Sequence, residues 1–212
     1  RPLLLVKMER DCNRPPSAAE EATPTGRRDE LPPDAALAGS RTQRAVTEIF
    51  DAAQQTVTER GWYAAGQRIA RGLREQRALR SSERRLAGDA LHGMVRGLRR
   101  LRSLCIAAGI ARPAARHLYL AWLVTHPAAR PLGDSLARAL SDASLALDPL
   151  LARAAELDAA ITAALAHPGP ALVENVTTLA EALSYPDWLL SALAAEHGLA
   201  TATRLLLAQN QR

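Results

Sequence analysis

The sequence predicts an all-α protein, and three observations support this. Apolar residues make up 48% of the chain, but aromatic residues only 3%, so the core must consist mainly of alanine and leucine. Apolar residues recur at intervals of three and four, which is the pattern of a helix that buries one face. No segment alternates apolar and polar residues convincingly, as a half-buried strand would. The 212 residues suffice for one globular domain and an additional segment.

Residues 1–39 are predicted to be a disordered leader. Prolines and charges of both signs are mixed there, and no apolar period is present. The run Leu3–Val6 is too short for a signal peptide or a membrane span. We therefore expect a cytoplasmic protein without a membrane partner. The sequence begins at Arg1, and Met8 is a candidate for the native start.

Helices are predicted from residue 40 onwards. Ser40 is a candidate N-cap for the first helix, which ends at Gly61, and the second helix begins at Trp62. Ser81 opens the longest helix, predicted to run to Gly109. Further helices are expected after Pro113, near 133–140, from Pro149 to about His167, over Leu172–Leu183, after Pro186 and after Gly198. Together these are eight or nine helices with short connections, as in a compact helical bundle.

Positive charge is concentrated in one third of the chain. The net charge is +5, and Lys7 is the only lysine. Residues 41–102 carry 14 basic and 6 acidic residues, whereas the flanking segments 1–40 and 103–212 are slightly acidic. Such asymmetry favours a polyanionic partner.

The basic third supplies the candidate binding residues. Guanidinium groups stay charged and match phosphate oxygens with a planar fork of donors, so these arginines are candidates for contact with an RNA backbone. The alternative is a solvated helix face in a chain with an arginine bias. The predicted RNA-binding residues are Arg68, Arg71, Arg74, Arg80, Arg84, Arg85, Arg96, Arg99, Arg100 and Arg102, and Arg77 lies among them.

Other reactive residue types show no catalytic or metal-binding pattern. Trp62 and Tyr63 could stack on an unpaired base, but a position in the core is the favoured prediction for both. Trp122 and Trp188 are predicted to be core residues. The five histidines lack ligand spacing, so no metal site is expected. Cys12 and Cys105 form neither a disulfide framework nor a zinc site, and Cys105 is predicted to be a buried small apolar residue.

Three passages together resemble one family. They are SSERRLAGDALHGMVRGLRRL at 81–101, SYPDWLLSALAAEHG at 184–198 and LLLAQNQR at 205–212. This is similar to the N-terminal NusB-like region of the RNA cytosine-5 methyltransferases of the Sun/RsmB/NOP type. In that family, a Pro-x-Trp-Leu helix precedes a helix ending in a short Asn-containing phrase, and an S-adenosylmethionine-binding domain follows.

The resemblance implies a domain organisation and a role. It implies a NusB-like RNA-binding domain over 40–183 and C-terminal helices over 184–212 that lead toward a methyltransferase domain missing from this chain. The full enzyme would use S-adenosylmethionine on small-subunit ribosomal RNA. The family's cysteine motifs, Pro-Cys and Thr-Cys, match neither Cys12 nor Cys105. This chain alone is therefore predicted to be an inactive fragment with no cofactor site of its own.

Two alternatives stay open. The first is a stand-alone NusB-type antitermination or RNA–protein interaction factor that catalyses nothing. The second, a helix-turn-helix regulator that binds DNA, is weaker because no short unit with a clear recognition helix is present.

Overall fold

The structure, a computed structural model, describes residues 40–60, 62–126, 134–166 and 176–210, apart from the side chains at 58, 60, 62 and 63. Within these ranges there are ten helices and no strand, which confirms the predicted all-α class. The predicted leader, residues 1–39, lies outside the described residues, as do the side chains of Trp62 and Tyr63.

The helices follow one another with short connections. In chain order they are α1 (Arg41–Arg60), α2 (Trp62–Glu75), α3 (Ser81–Arg96), α4 (Leu98–Ala107), α5 (Ala115–Thr125), α6 (Asp134–Asp142), α7 (Leu147–Ala166), α8 (Val176–Leu183), α9 (Asp187–His197) and α10 (Leu199–Asn210).

The predicted start of the first helix is confirmed by its cap. The Ser40 hydroxyl oxygen accepts a hydrogen bond from the backbone N–H of Gln43 at 3.1 Å. This bond satisfies one of the N–H groups that the first turn of a helix leaves without a partner.

The prediction of one unbroken helix from Ser81 to Gly109 is wrong. The chain turns at Gly97, and α3 and α4 are separate helices on either side of it. A Cβ at position 97 would lie 3.0 Å from the backbone oxygen of Gly93, closer than most side chains tolerate. Gly109 still ends α4, because its φ of +97° lets the Ile110 N–H reach the Cys105 carbonyl at 2.9 Å.

The larger apolar core lies around α5. Every residue of α5 from His117 to Val124 is buried, so this helix is enclosed on all sides. Helices α1, α3, α4 and α7 pack against it. The buried residues of this core come from α1 to α7, with Ala182 added from α8.

A smaller apolar core is formed by the C-terminal helices. Leu179 and Leu183 of α8, Leu190 of α9, Leu206 of α10 and Ala164 near the end of α7 belong to it. The predicted domain boundary at Ser184 falls between α8 and α9, which share this core. That boundary stays a prediction.

The two described tryptophans differ in burial. Trp122 of α5 is buried, as predicted, whereas the prediction that Trp188 belongs to the core is wrong, because its side chain is 70% exposed. The buried face of α9 is marked by Leu190, and a residue two positions away lies about 200° around the helix axis. Trp188 therefore points away from the core.

Candidate nucleic-acid interface

Five arginines surround the turn between α2 and α3. They lie at the end of α2, in the turn and in the first two turns of α3, and all are exposed. We call them the α2–α3 basic cluster: Arg74, Arg77, Arg80, Arg84 and Arg85. The five residues lie within 12 positions of one another in the sequence, although they come from different elements.

Most of this cluster is available for a ligand. The side chains of Arg74, Arg77 and Arg85 make no ion pair or hydrogen bond with any described residue. Arg84 differs, because its Nη2 donates to the carbonyl oxygens of Gln76 and Leu79, both at 3.3 Å. The acidic residue nearest in sequence on the α3 side, Glu83, is buried and accepts the backbone N–H of Arg80 at 2.8 Å. Its carboxylate caps the helix and also lies 4.0 Å from Arg41 Nη2, so its contacts are with a backbone N–H and with an arginine outside the cluster.

Arg68 and Arg71 share one carboxylate on α2. Arg71 Nε lies 2.6 Å from Glu75 Oε1, and Arg68 Nη1 lies 3.5 Å from Glu75 Oε2. The hydrogen bond to Glu75 raises the pKa of Arg71, and the same bond lowers the pKa of Glu75. These two arginines are partly neutralised but still exposed enough to reach solvent.

Arg99 and Arg100 contact the C-terminal helices. Arg99 Nη1 donates to the Tyr185 carbonyl at 2.6 Å, and its Nη2 lies 2.7 Å from Asp187 Oδ1. Arg100 Nη2 lies 2.7 Å from Asp158 Oδ1 of α7. These guanidinium groups join α4 to α7 and to the start of α9, so they have a structural role.

Arg96 also has a partner in the C-terminal helices, but its side chain stays exposed. Its Nη1 donates to the Asn210 carbonyl at 3.2 Å, while Asn210 Nδ2 donates to the Leu183 carbonyl at 2.9 Å. Arg102, in α4, is exposed and makes no hydrogen bond or ion pair with a described residue. The structure thus divides the predicted arginines. Those near the α2–α3 turn and Arg102 are accessible. Arg96 and Arg99 contact the C-terminal segment, and Arg100 pairs with α7.

A half-buried polar network adds to this helix contact. Glu181 Oε2 accepts hydrogen bonds from Ser103 Oγ at 2.7 Å and from Arg153 Nη2 at 2.6 Å. Arg153 Nε also donates to Ser103 Oγ at 3.0 Å, and its Nη1 pairs with Glu156 at 2.6 Å. We call Ser103, Arg153 and Glu181 the polar seam, because they link α4, α7 and α8. These residues are not predictable as a group, since no sequence spacing connects them.

A groove of about 390 Å³ lies between α3, α5 and the connection from α8 to α9. We call it the α3–α5 groove. Asp89, His92, Arg96, Arg100, Trp122 and His126 are among its lining residues. The rings of Trp122 and His126 lie 4.4 Å apart between centroids, at an angle of 33°. The sequence analysis did not predict this groove, although the four-residue spacings of His92–Arg96 and Trp122–His126 place each pair on one helix face.

Cys105, the residue types that bind metals and the lengths of the helices bear on other kinds of function. Cys105 is buried, as predicted, and burial raises the pKa of its thiol to about 12, so it stays protonated at neutral pH. Within the described ranges, no three His, Cys, Asp or Glu side chains are grouped as metal ligands would be. Among the described helices, none has the length and apolar character needed to cross a membrane.

Comparisons with models of protein families, with curated proteins and with solved structures give no match for this chain.

Proposed function

We propose that this chain is the RNA-binding helical domain of an S-adenosylmethionine-dependent ribosomal RNA cytosine-5 methyltransferase. The single observation that carries RNA binding is the α2–α3 basic cluster, where Arg74, Arg77 and Arg85 are exposed without a described acidic partner. The methyl-transfer part of the proposal rests on the sequence resemblance alone.

The mechanism of binding would be electrostatic. Phosphate oxygens of an RNA strand replace the missing acidic partners of the cluster, and condensed counterions are released as they do so. Such contacts fix the position of the RNA but carry no sequence information. The domain therefore holds the RNA and orients it, while the choice of the target cytosine belongs to the catalytic part of the longer protein.

The experiment compares two variants with the same net charge. Replacing Arg74, Arg77 and Arg85 with Gln lowers the net charge from +5 to +2. The control replaces Arg112, Arg138 and Arg204 with Gln, three exposed arginines outside the basic third, with the same change in net charge. Affinity for a fragment of small-subunit ribosomal RNA is measured by fluorescence anisotropy.

The expected result is a loss of affinity of at least about tenfold in the cluster variant, since each phosphate contact contributes through counterion release. The control variant loses less than about threefold, because net charge alone acts weakly at physiological salt. Equal losses in both variants, or no binding by the wild-type chain, would refute the proposal of an RNA site at the cluster.

The stand-alone NusB-type factor is separated from the methyltransferase domain by a different measurement. The gene is sequenced past the codon for Arg212. An open reading frame with a Rossmann-like domain and Pro-Cys and Thr-Cys motifs supports the methyltransferase, and a stop codon there supports the stand-alone factor. Neither outcome bears on RNA binding, which the anisotropy measurement tests separately.

A further inference from the structure

We infer that the α3–α5 groove takes one unpaired nucleotide of the bound RNA. This inference rests on the proposed RNA-binding function and deepens it, because it names the form of RNA that the domain distinguishes. It is carried by the size of the groove, by the charges on its walls and by its aromatic side.

The size of the groove fits a small ligand. Its volume of about 390 Å³ falls in the range of small-molecule clefts, about 300–1,000 Å³. A base pair inside a helix presents only its edges, whereas an unpaired nucleotide can turn its whole base into a cleft. The groove therefore selects for single-stranded RNA over duplex RNA.

The charged lining suits a phosphate. His92 and Arg96 are exposed at the groove, and Arg100 lines it from α4. Arg96 uses one guanidinium nitrogen for the uncharged Asn210 carbonyl, so it keeps its net charge and further N–H donors for an anion. Arg100 is paired with the Asp158 carboxylate and keeps its structural role. Phosphate binds well to such donors because the hydrogen bonds are charge-assisted.

The other side of the groove suits a base. The tilted pair of Trp122 and His126 forms an aromatic wall. The Trp122 indole is buried, so the half-buried His126 ring is the accessible part of this wall. Aromatic rings are the surfaces on which unpaired bases stack in RNA-binding domains. Asp89 lies on α3, one turn before His92, and its carboxylate supplies an acceptor for an exocyclic amino group of the base at that end of the groove.

Two glycines, Gly93 and Gly97, determine the shape of the α3–α5 groove. A Cβ at Gly93 would overlap the indole of Trp122, so the missing side chain lets the aromatic wall approach α3 directly. Gly97 ends α3 at the edge of the groove, and the following turn brings Arg100 of α4 to the same space. The break between α3 and α4 thus assembles the lining from two helices.

The test measures the preference for single-stranded RNA. The groove variant carries His92→Gln and Arg96→Gln, and the control variant carries His197→Gln and Arg138→Gln, which removes the same residue types from exposed positions outside the groove. Each is titrated with a labelled single-stranded RNA of about 10 nucleotides, a typical site size, and with the duplex of the same length. Thermal unfolding checks that both variants are folded, and His92→Gln alone replaces the double variant if Arg96→Gln unfolds the chain.

The groove variant should bind single-stranded RNA about tenfold more weakly than the wild type, because charged hydrogen bonds are lost. Its affinity for duplex RNA should stay within about twofold of the wild-type affinity. The single variant should lose about threefold on the single strand only. Equal losses of affinity for both RNAs, or no loss, would refute the proposed nucleotide site in the groove. The proposed RNA site at the α2–α3 basic cluster would be unaffected. Absence of RNA binding by the wild-type chain would overturn both proposals.

Discussion

Individual arginines in this chain have different roles that their residue type does not reveal. Arg99 and Arg100 were predicted as phosphate ligands, and the structure shows each beside a carboxylate at 2.7 Å. Arg74 and Arg85, of the same type and in the same basic third, have no described acidic partner. The sequence predicts where positive charge is concentrated. It does not predict which guanidinium groups are used internally, because their partners lie 58 to 114 residues away in sequence.

The two described tryptophans also show that residue type alone does not predict the burial of a side chain. Trp122 was predicted to be buried and is, because α5 is apolar on all sides and any residue in its middle is enclosed. Trp188 was predicted to be buried and is exposed, because α9 is also apolar on several sides but only one of them faces the small core. Composition alone does not identify the buried side of such a helix.

Gly93 is predicted to be intolerant of any side chain. In Gly93→Ala, the new Cβ would overlap the Trp122 indole, which is held between Tyr119 and His126 and has little room to move. We expect the variant to lose about 1–3 kcal/mol of unfolding free energy, the usual cost of overpacking a core. Urea unfolding measures this, with Gly66→Ala as the control, since a Cβ at Gly66 meets no atom within 4 Å. An unchanged Gly93→Ala midpoint would contradict the packing described here.

His117 is predicted to make stability fall in mild acid. Burial, with the nearby charge of Arg116, lowers its pKa, and its Nδ1 accepts the Ala114 N–H at 2.9 Å at the start of α5. The unfolded chain therefore binds a proton more readily than the folded one, so this contribution to stability is complete above the ordinary histidine pKa of about 6.5 and is lost as pH falls below it.

The measurement is the urea midpoint between pH 7.5 and 5. We expect His117→Gln, whose side-chain oxygen can accept the same N–H without titrating, to show a smaller decrease than the wild-type chain. An identical decrease in both proteins would assign the pH dependence to other groups.

Helices as elements were largely predictable, and their internal breaks were not. Periodicity and cap residues located the first helix, and its Ser40 cap is present. The α3–α4 break was missed because the apolar stripe continues across Gly97: Met94 lies before it and Leu101 after it, both buried. A single glycine in a helical pattern is tolerated in many helices, so the sequence could not show that this one ends a helix.

Contacts between helices depend on the polar seam, and Glu181 is its central acceptor. In Glu181→Gln, the charge that pairs with Arg153 and accepts the Ser103 hydroxyl is removed from a half-buried position. We expect a loss of about 1–2 kcal/mol, typical of hydrogen bonds between charged groups that are partly shielded from water. The control is Glu156→Gln, the exposed partner of the same Arg153, which should cost less than about 0.5 kcal/mol. Similar costs in both variants, measured by urea unfolding, would show that the seam does not stabilise the packing of α8.

At the scale of the whole molecule, charge and packing are divided between regions. The basic third of the sequence forms α1 to α3 and the start of α4, and five of its exposed arginines lie around the α2–α3 turn. The C-terminal helices form their own small core, and the arginines that follow α3 hold them in place. The uneven charge distribution could be predicted from sequence. The separation into an accessible cluster and a structural set required the tertiary contacts.

The salt dependence of RNA binding tests the central claim most directly. A surface that binds RNA through the α2–α3 basic cluster gives a linear fall of log affinity with log salt, with a slope of about 0.7 for each single-strand phosphate contacted. Replacing Arg74, Arg77 and Arg85 with Gln should therefore reduce the slope by about 2, whereas the control at Arg112, Arg138 and Arg204 should leave it unchanged. Equal slopes in all three proteins, or binding insensitive to salt, would contradict the account.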